Sequence, residues 1–371
     1  MAGRSMGSSE EDKEAQARTR ASAAVAVLEG QLCAWLDGSG PEADIIITSR
    51  VRLARNLHGL RFPGAAPAEE RESVCRQVAE AMATSRALRQ TLHVRLDELS
   101  ALDRRFLMER RLVSSQSAER PEQAVVFADR TQTLAVMVNE EDHLRLQAIA
   151  SGLQIEEAWE AVRTLDDELG EQLDYAFSEQ FGYLTACPTN TGTGMRVSIF
   201  AHLPALALLE EVDKALKEFA GSEITVRGFY GEGSRVQGNI FQISNQLTLG
   251  RAEKAIIKRV RNIAERLVGL EREARARLLQ QRPLRVRDLV YRARALLQHA
   301  QLISSLELMN LLPAVRVGSE LGLLPPIPRR RLNELLVIAL PAHLQKRAGK
   351  EMDNEERDAY RAQFVRDYLE V

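Results

Sequence analysis

Four segments of the 371-residue chain concentrate side chains able to handle phosphate and a cationic acceptor. The first is Thr48-Ser49-Arg50-Val51-Arg52, preceded by the β-branched run Ile45-Ile46-Ile47. That composition predicts a strand, and residues two apart on a strand leave the same face. Two guanidinium groups held side by side repel unless an anion lies between them, and a guanidinium grips phosphate with a two-pronged fork. The second segment, Asn139-Glu140-Glu141-Asp142-His143-Leu144-Arg145, sets three carboxylates beside one arginine. Such a knot suits a carboxylate that orients a cationic substrate while Arg145 faces phosphate. The third, Cys187-Pro188-Thr189-Asn190-Thr191-Gly192-Thr193-Gly194-Met195-Arg196, places a thiol before a Gly/Thr loop that leads into an arginine. Its glycines allow close backbone approach to a ligand, and it lacks the Gly-Lys-Ser/Thr ending of a Walker loop. The fourth is the glycine-rich Arg227-Gly228-Phe229-Tyr230-Gly231-Glu232-Gly233. Taken singly, each has an ordinary reading: a solvated strand edge, an exposed acidic loop, a buried inert cysteine, a plain turn.

The elements that must position these groups follow from apolar periodicity. Strands are predicted from Ile45 to Leu53, over 196–203, over 224–228 and over 240–246, and a hairpin joins 124–128 to 134–139 across Asp129-Arg130-Thr131-Gln132. Helical spacing covers 67–92, 96–113 and 156–173. Residues 1–22 read as a polar tail, and a short helix is expected over 23–36, ended by Asp37-Gly38-Ser39-Gly40-Pro41. Strands mixed with helices, without regular βαβ alternation, give an α+β catalytic body around an antiparallel sheet. From about Arg251 the pattern turns all-helical: a long helix over 252–281 broken near Pro283, helices over 287–312, a Pro-rich connection at 323–329, and closing helices over 331–340 and 355–369. Three segments are therefore expected: an N-terminal tail and short helix (1–44), a catalytic domain (45–272) and a helical C-terminal domain (273–371).

Composition narrows the chemistry. Fifty basic and 52 acidic residues leave a net charge of −2, which argues against a general nucleic-acid binder. Three cysteines, Cys33, Cys75 and Cys187, without paired spacing exclude a disulfide framework and a CxxC metal site. No apolar run is long enough to cross a bilayer and no leader-like segment opens the chain, so a cytoplasmic protein is expected.

Read together and in order, the four segments resemble the ATP:guanido phosphotransferases, the phosphagen kinase family of creatine and arginine kinases. NEEDHLR, CPTNTGTGMR and the strand-borne SRVR are the strings that carry the resemblance, which spans residues 45–272. It implies ATP and Mg²⁺, with no dedicated protein cage for the metal. It implies nucleotide contacts from Thr48, Ser49, Arg50, Val51, Arg52 and Arg145. Further contacts are implied from Arg196, Val197, Ser198, Ile199 and Phe200, and from Arg227, Gly228, Phe229, Tyr230 and Gly231. Glu141 and Glu232 become the carboxylates that clamp the acceptor guanidinium, and Cys187 the thiol beside it. Many relatives carry a histidine near the nucleotide where this chain reads Arg110-Arg111.

Within that family the architecture resembles the bacterial protein-arginine kinases. Small-molecule members carry a helical domain ahead of the arginine strand, whereas here 44 residues precede it and a helical segment follows the catalytic body. The stretch Arg357-Asp358-Ala359-Tyr360-Arg361-Ala362 matches the R-D-x-x-R-A string that forms a phosphoarginine pocket in those kinases, which implies allosteric binding by Arg357, Asp358, Arg361 and Ala362. On a helix the two arginines are also i, i+4 neighbours of an ordinary charged face. The resemblance further implies protein substrates, including unfolded proteins and a stress-gene repressor. A zinc-binding activator protein, a Clp ATPase with its protease, and a homodimer are implied as partners. A free-arginine kinase and a catalytically silent phosphoarginine-binding adaptor are the alternatives.

Overall fold

A computed structural model describes residues 7–88, 92–219, 224–228 and 238–370, with backbone alone at 7–11, 14, 227 and 228. Among the described residues there are ten strands: β1 (Ile46–Arg55), β2 (Leu92–Arg95), β3 (Val125–Ala128), β4 (Leu134–Val138), β5 (Leu144–Ser151), β6 (Phe177–Ser178), β7 (Gly182–Tyr183), β8 (Met195–His202), β9 (Ile224–Gly228) and β10 (Ile240–Asn245). Eight of them form one antiparallel sheet in the order β2-β3-β4-β5-β1-β8-β10-β9, while β6 and β7 make a small separate hairpin. The helices are α1 (Gly7–Ala26), α2 (Ala68–Thr84), α3 (Ala101–Glu109), α4 (Ser115–Glu119), α5 (Ile155–Gly170), α6 (Pro204–Leu208) and α7 (Val212–Lys217). They continue with α8 (Glu253–Gln281), α9 (Pro283–His299), α10 (Ser305–Glu320), α11 (Arg329–Ile338), α12 (Pro341–Ala348) and α13 (Asn354–Leu369).

Strand alternation sorts the sheet into two faces. On β1, Val51 and Leu53 are fully buried and join Val197, Ile199, Leu144 and Leu146 in a core against the apolar sides of α5 and α8. The same cluster runs on without interruption into Val286, Leu312, Leu335 and Val365, so sheet and C-terminal helices share one core. The opposite face holds Thr48, Arg50 and Arg52. It is flanked toward β2–β4 by a second cluster of Phe106, Leu107 and Met137 with Val25 and Ala342.

Several expectations are revised. The N-terminal segment is not a loose tail: α1 runs to Ala26, and Ala21 and Val25 on its last turns, with Leu28 in the turn that follows, dock on the second cluster. The helix expected over 23–36 ends there, and only the 3₁₀ turn Ala34–Leu36 remains of its second half. Leu92–Arg95 is strand rather than helix end, β5 follows the acidic segment directly, and α12 was not anticipated. As the helical spacing over 252–281 predicts, α8 runs unbroken to Gln281; the chain turns at Arg282, where Pro283 starts α9 without needing a backbone donor.

Candidate active site

Register brings the arginines together. Arg52 lies opposite Arg196 on β8 and opposite Gln147 on β5, Arg50 lies opposite Ser198, and Ala54 lies opposite Arg145. Directly opposed residues of an antiparallel pair share a face, so Arg50, Arg52, Arg145 and Arg196 converge. Burial pushes the guanidinium pKa of Arg50 well down, and the charges of Arg111, Arg145 and Arg196 push it further. Arg52 is depressed likewise, by burial and then by Arg50, Arg145 and Arg196, with Glu140 as the opposing charge. The Nε atoms of Arg50 and Arg52 are buried and make no hydrogen bond. Buried cations without partners are costly unless an anion compensates them, so this face fits a polyphosphate.

Two adjoining cavities open over the face and share Arg52, Gln116, Glu140 and Arg145. One, about 340 Å³, takes in Arg50, Arg111 and Gln242 at its charged end. Its apolar wall is Met108, Met137, Leu336, Val337 and Leu340. The other, about 290 Å³, is lined by Glu141, Asn190, Gly194 and Arg196. A nucleotide and an acceptor guanidinium would thus meet at Arg52 and Arg145. Among the described residues no group of three or more His, Cys, Asp or Glu side chains is arranged for a metal ion.

The acidic segment divides its labour residue by residue. Asn139, at φ 57°, turns the chain and donates from Nδ2 to the carbonyls of Arg71 and Gln123, each at 2.8 Å. Glu140 accepts from Arg145 Nη1 at 2.6 Å, while Glu141 is exposed on the rim. Asp142 Oδ1 accepts from Asn56 Nδ2 and from the Ala186 amide, both at 2.7 Å. Burial raises the Asp142 pKa. His143 Nδ1 accepts from the Leu57 amide at 3.0 Å, which leaves Nε2–H to donate to the Arg61 carbonyl at 2.9 Å. Burial keeps that ring neutral by lowering its pKa.

The Cys187 loop is fixed from behind. Cys187 Sγ lies 3.0 Å from Thr189 Oγ1, and Thr248 Oγ1 donates to the carbonyls of Thr189 and Thr191 at 3.0 and 2.6 Å. Gly192 sits at φ 115°, where an added Cβ would come within 2.8 Å of Leu249 Cα and the Thr248 carbonyl oxygen. At Gly194, φ 64°, a Cβ would fall 2.5 Å from the Ala54 carbonyl oxygen. Only glycine fits either position. Arg55 closes the support: it pairs with Asp166 at 2.6 Å, donates to the Thr193 carbonyl at 2.9 Å and stacks 3.6 Å from the Tyr183 ring centroid.

Not every residue expected at the nucleotide faces it. Ser49, Val51, Val197 and Ile199 point to the other side of the sheet, the last three into the core, and Ser49 Oγ donates to the Gly152 carbonyl. Their motif includes them because a strand presents only alternate side chains to one face. Thr48, Ser198 and Phe200 share the arginine face. Arg227 and Gly228 are described in backbone only, Arg227 opposite Gln242. Phe229, Tyr230, Gly231 and Glu232 lie outside the described residues. In α13, Arg361 is buried and its guanidinium donates to the carbonyls of Ala339 and Ile303 at 2.9 and 2.8 Å and to Asp358. Ala362 is buried beside it, and Arg357 is half-exposed, donating to the Met352 carbonyl at 2.8 Å.

Two participants were missed. Glu140 was passed over for its neighbour, and Arg111 was left without a role although it lines the cavity 5.7 Å from the Phe200 ring. Behind Arg111, Arg110 is buried and donates from Nε to His343 Nε2 at 3.1 Å. His343 Nδ1 in turn lies 2.7 Å from Glu109, which also accepts the amides of Ala342 and His343 at 2.9 and 3.1 Å. The end of α3 is therefore clamped to the start of α12.

Comparison with known proteins accords with this geometry. Residues 73–274 match the model of the ATP:guanido phosphotransferase C-terminal catalytic domain, and residues 283–371 match the protein-arginine kinase McsB C-terminal domain. A protein-arginine kinase of Halothermothrix orenii is 43% identical over 346 residues, covering 93% of this chain and 99% of its own. That of Symbiobacterium thermophilum is 45% identical over 337 residues, covering 90% and 95%. Among solved structures, a duplicated taurocyamine kinase of Schistosoma mansoni aligns with a TM-score of 0.58 at 24% identity, over 63% of this chain and about a third (34%) of its own length. Lombricine kinase aligns with a TM-score of 0.57 at 23% identity, over 65% of this chain and 69% of its own. These two establish the phosphagen-kinase fold alone. With its catalytic and C-terminal models matched in sequence and its curated relatives matched nearly end to end, the chain belongs to the ATP:guanido phosphotransferases, in the protein-arginine kinase family.

Proposed function

We propose that this chain transfers the γ-phosphoryl group of ATP to arginine side chains of proteins. The observation that carries the reading is the pair of adjoining cavities in which Arg50 and Arg52, their Nε atoms buried and unbonded, stand beside an open rim bearing Glu141. Phosphoryl transfer passes through a loose, in-line transition state with charge on the equatorial oxygens, so positioning and preorganised cations supply most of the rate. Arg50, Arg52, Arg145 and Arg196 serve that charge, and Glu140 keeps Arg145 in place. A bound Mg²⁺ neutralises charge on the phosphates. An acceptor guanidinium with pKa above ~12 must lose a proton as its N–P bond forms. In this reading Glu141 orients it and takes that proton, while the bond from the β–γ bridging oxygen to phosphorus breaks and ADP leaves.

The finer reading extends from the family. Glu232 would complete the acceptor clamp, Cys187 would polarise the guanidinium, and Arg357 with Asp358 would receive phosphoarginine on α13. Unfolded proteins and a stress-gene repressor would be substrates. Partners would be a zinc-binding activator, a Clp ATPase and a second copy of the chain, all in the cytoplasm. Incubation with ATP and Mg²⁺, separately with casein and with free arginine, tests the core claim. Acid-labile phosphate on casein alone supports it, and phosphate on free arginine alone overturns it.

A further inference from the structure

Four large apolar side chains stand exposed beside the acceptor rim: Phe177 (57%), Phe181 (46%), Leu247 (43%) and Leu249 (51%). They occupy two segments that flank the Cys187 loop at backbone contact. On one side, the β6–β7 hairpin carries the phenylalanines, and the Tyr183 amide donates to the Gly192 carbonyl at 2.8 Å. Opposite it, the turn after β10 carries the leucines and holds the loop through Thr248. Both segments close on Gly192, since a Cβ there would strike Leu249, and a Cβ at Gly182 would strike Gly192. The hairpin itself is held open to solvent on a rigid base, with Phe177 edge-on to Tyr183 at 5.3 Å and Tyr183 stacked on the buried Arg55.

A lone exposed leucine needs no explanation, but four exposed apolar side chains on two segments that meet at one active-site loop do. We infer that the hairpin and the turn form a docking surface for an extended segment of the protein substrate, selecting target arginines flanked by apolar or aromatic residues. The inference rests on the protein-arginine kinase reading and names its substrate class. Two features identify the occupant. The loop clasped between the two segments also lines the acceptor cavity through Asn190 and Gly194, and an extended chain advances ~3.4 Å per residue, so a few residues beside a seated arginine reach the apolar side chains. The charge also fits, because the exposed carboxylates Glu141 on the rim and Glu179 on the hairpin complement a cationic target and its approach. Polypeptides that expose apolar side chains next to arginine are unfolded ones, since folded proteins bury such residues.

Two synthetic peptides test this, each with a single arginine and equal net charge. One carries Phe and Leu on both sides of the arginine, and the other carries Ser and Gly. Both are compared as substrates of the full chain with ATP and Mg²⁺, and their binding without nucleotide is read by fluorescence anisotropy. The apolar-flanked peptide should show KM and Kd about tenfold lower, equivalent to ~1.4 kcal/mol. That preference should collapse in Phe177→Ser/Phe181→Ser and in Leu247→Ser/Leu249→Ser, with KM for ATP and thermal stability retained. Equal Kd and equal KM for the two peptides on the unaltered chain overturn the docking surface alone, as does a preference that survives in both double variants. Phosphate appearing on free arginine and on neither peptide removes the underlying kinase reading, and the docking surface with it.

Discussion

Asp142 Oδ1 and the Ala186 amide are joined at 2.7 Å, and each stands one residue from a group assigned to the acceptor: Glu141 on one side, Cys187 on the other. A buried carboxylate thus staples two otherwise separate catalytic segments, and the same oxygen also receives Asn56. Asp142→Ala should lower kcat on casein on the order of 10²-fold, because small misplacements at a reacting centre carry that magnitude. KM for ATP should stay within about twofold, as the strands that carry the arginine cluster are registered mainly by their own ladder pairing of β1 with β5 and β8. Asp142→Asn, which keeps an acceptor oxygen, should retain most of the activity. Steady-state kinetics on the three proteins decide this, and an alanine variant with full kcat would dismiss the staple.

The arginine face stores repulsion. Arg52→Met, which fills similar volume without charge, should raise the melting temperature of the nucleotide-free chain by about 2–4 °C, corresponding to ~1 kcal/mol. It should also lose most of the thermal shift that ATP produces in the unaltered chain. Differential scanning calorimetry with and without ATP gives both readouts. A variant that is less stable without nucleotide would show that these charges are already compensated in the free protein.

Gly192→Ala must place a Cβ against Leu249 and Thr248 at a φ that L side chains rarely adopt. Strain of ~1–3 kcal/mol is expected, with the loss of activity exceeding the loss of stability because the strained loop carries Cys187. Comparing urea midpoints with kcat separates the two.

Three buried histidines should set the acid limit. The pKa values of His143, His202 and His343 all lie below the ordinary 6.5, with burial the largest cause in each. The unfolded chain therefore takes up protons near pH 6.5 that the folded chain refuses, so stability is full above that pH and falls as pH drops through it. His202, fully buried with both ring nitrogens unbonded and facing Arg316 and Arg275, should weigh most. The melting temperature should fall between pH 7.5 and 5.5, above the carboxylate range, and less so in His202→Leu. Identical slopes for the two proteins would exclude His202 as the cause.

Arg357 and Arg361 should separate cleanly. Arg361→Ala orphans the carbonyls of Ala339 and Ile303 in the interior and should cost ~3 kcal/mol or more of stability. Arg357→Ala should leave urea stability within ~0.5 kcal/mol and reduce stimulation by phosphoarginine-bearing protein. Unchanged stimulation in Arg357→Ala would place phosphoarginine elsewhere.

What the sequence disclosed follows from the range of the interactions involved. Arg50 and Arg52 were legible because strand periodicity sends them to one face and carries Val51 away from it; Arg196 was legible only through the resemblance, since its place opposite Arg52 is set by the register of β1 and β8. The choice between Glu140 and Glu141 was not legible, since it depends on the left-handed turn at Asn139, which decides which adjacent carboxylate folds back on Arg145. The role of Arg111 was hidden for a longer-range reason. Its backbone follows a helix end fixed by Ala342 and His343, more than 230 residues away in sequence. α1 escaped because two buried apolar positions, Ala21 and Val25, on a highly charged helix carry little signal until Phe106 and Leu112 provide a surface for them.

Leu336, Val337 and Leu340, contributed by the C-terminal helices, form one wall of the nucleotide cavity, and the Glu109–His343 clamp ties those helices to the turn that carries Arg111. Any ligand that repositions these helices therefore changes the free energy of ATP binding. By thermodynamic reciprocity, ATP must alter the affinity for that ligand by the same factor. Saturating nucleotide and saturating C-terminal ligand are thus two handles on one equilibrium, and a titration of either in the presence of the other measures the coupling between them.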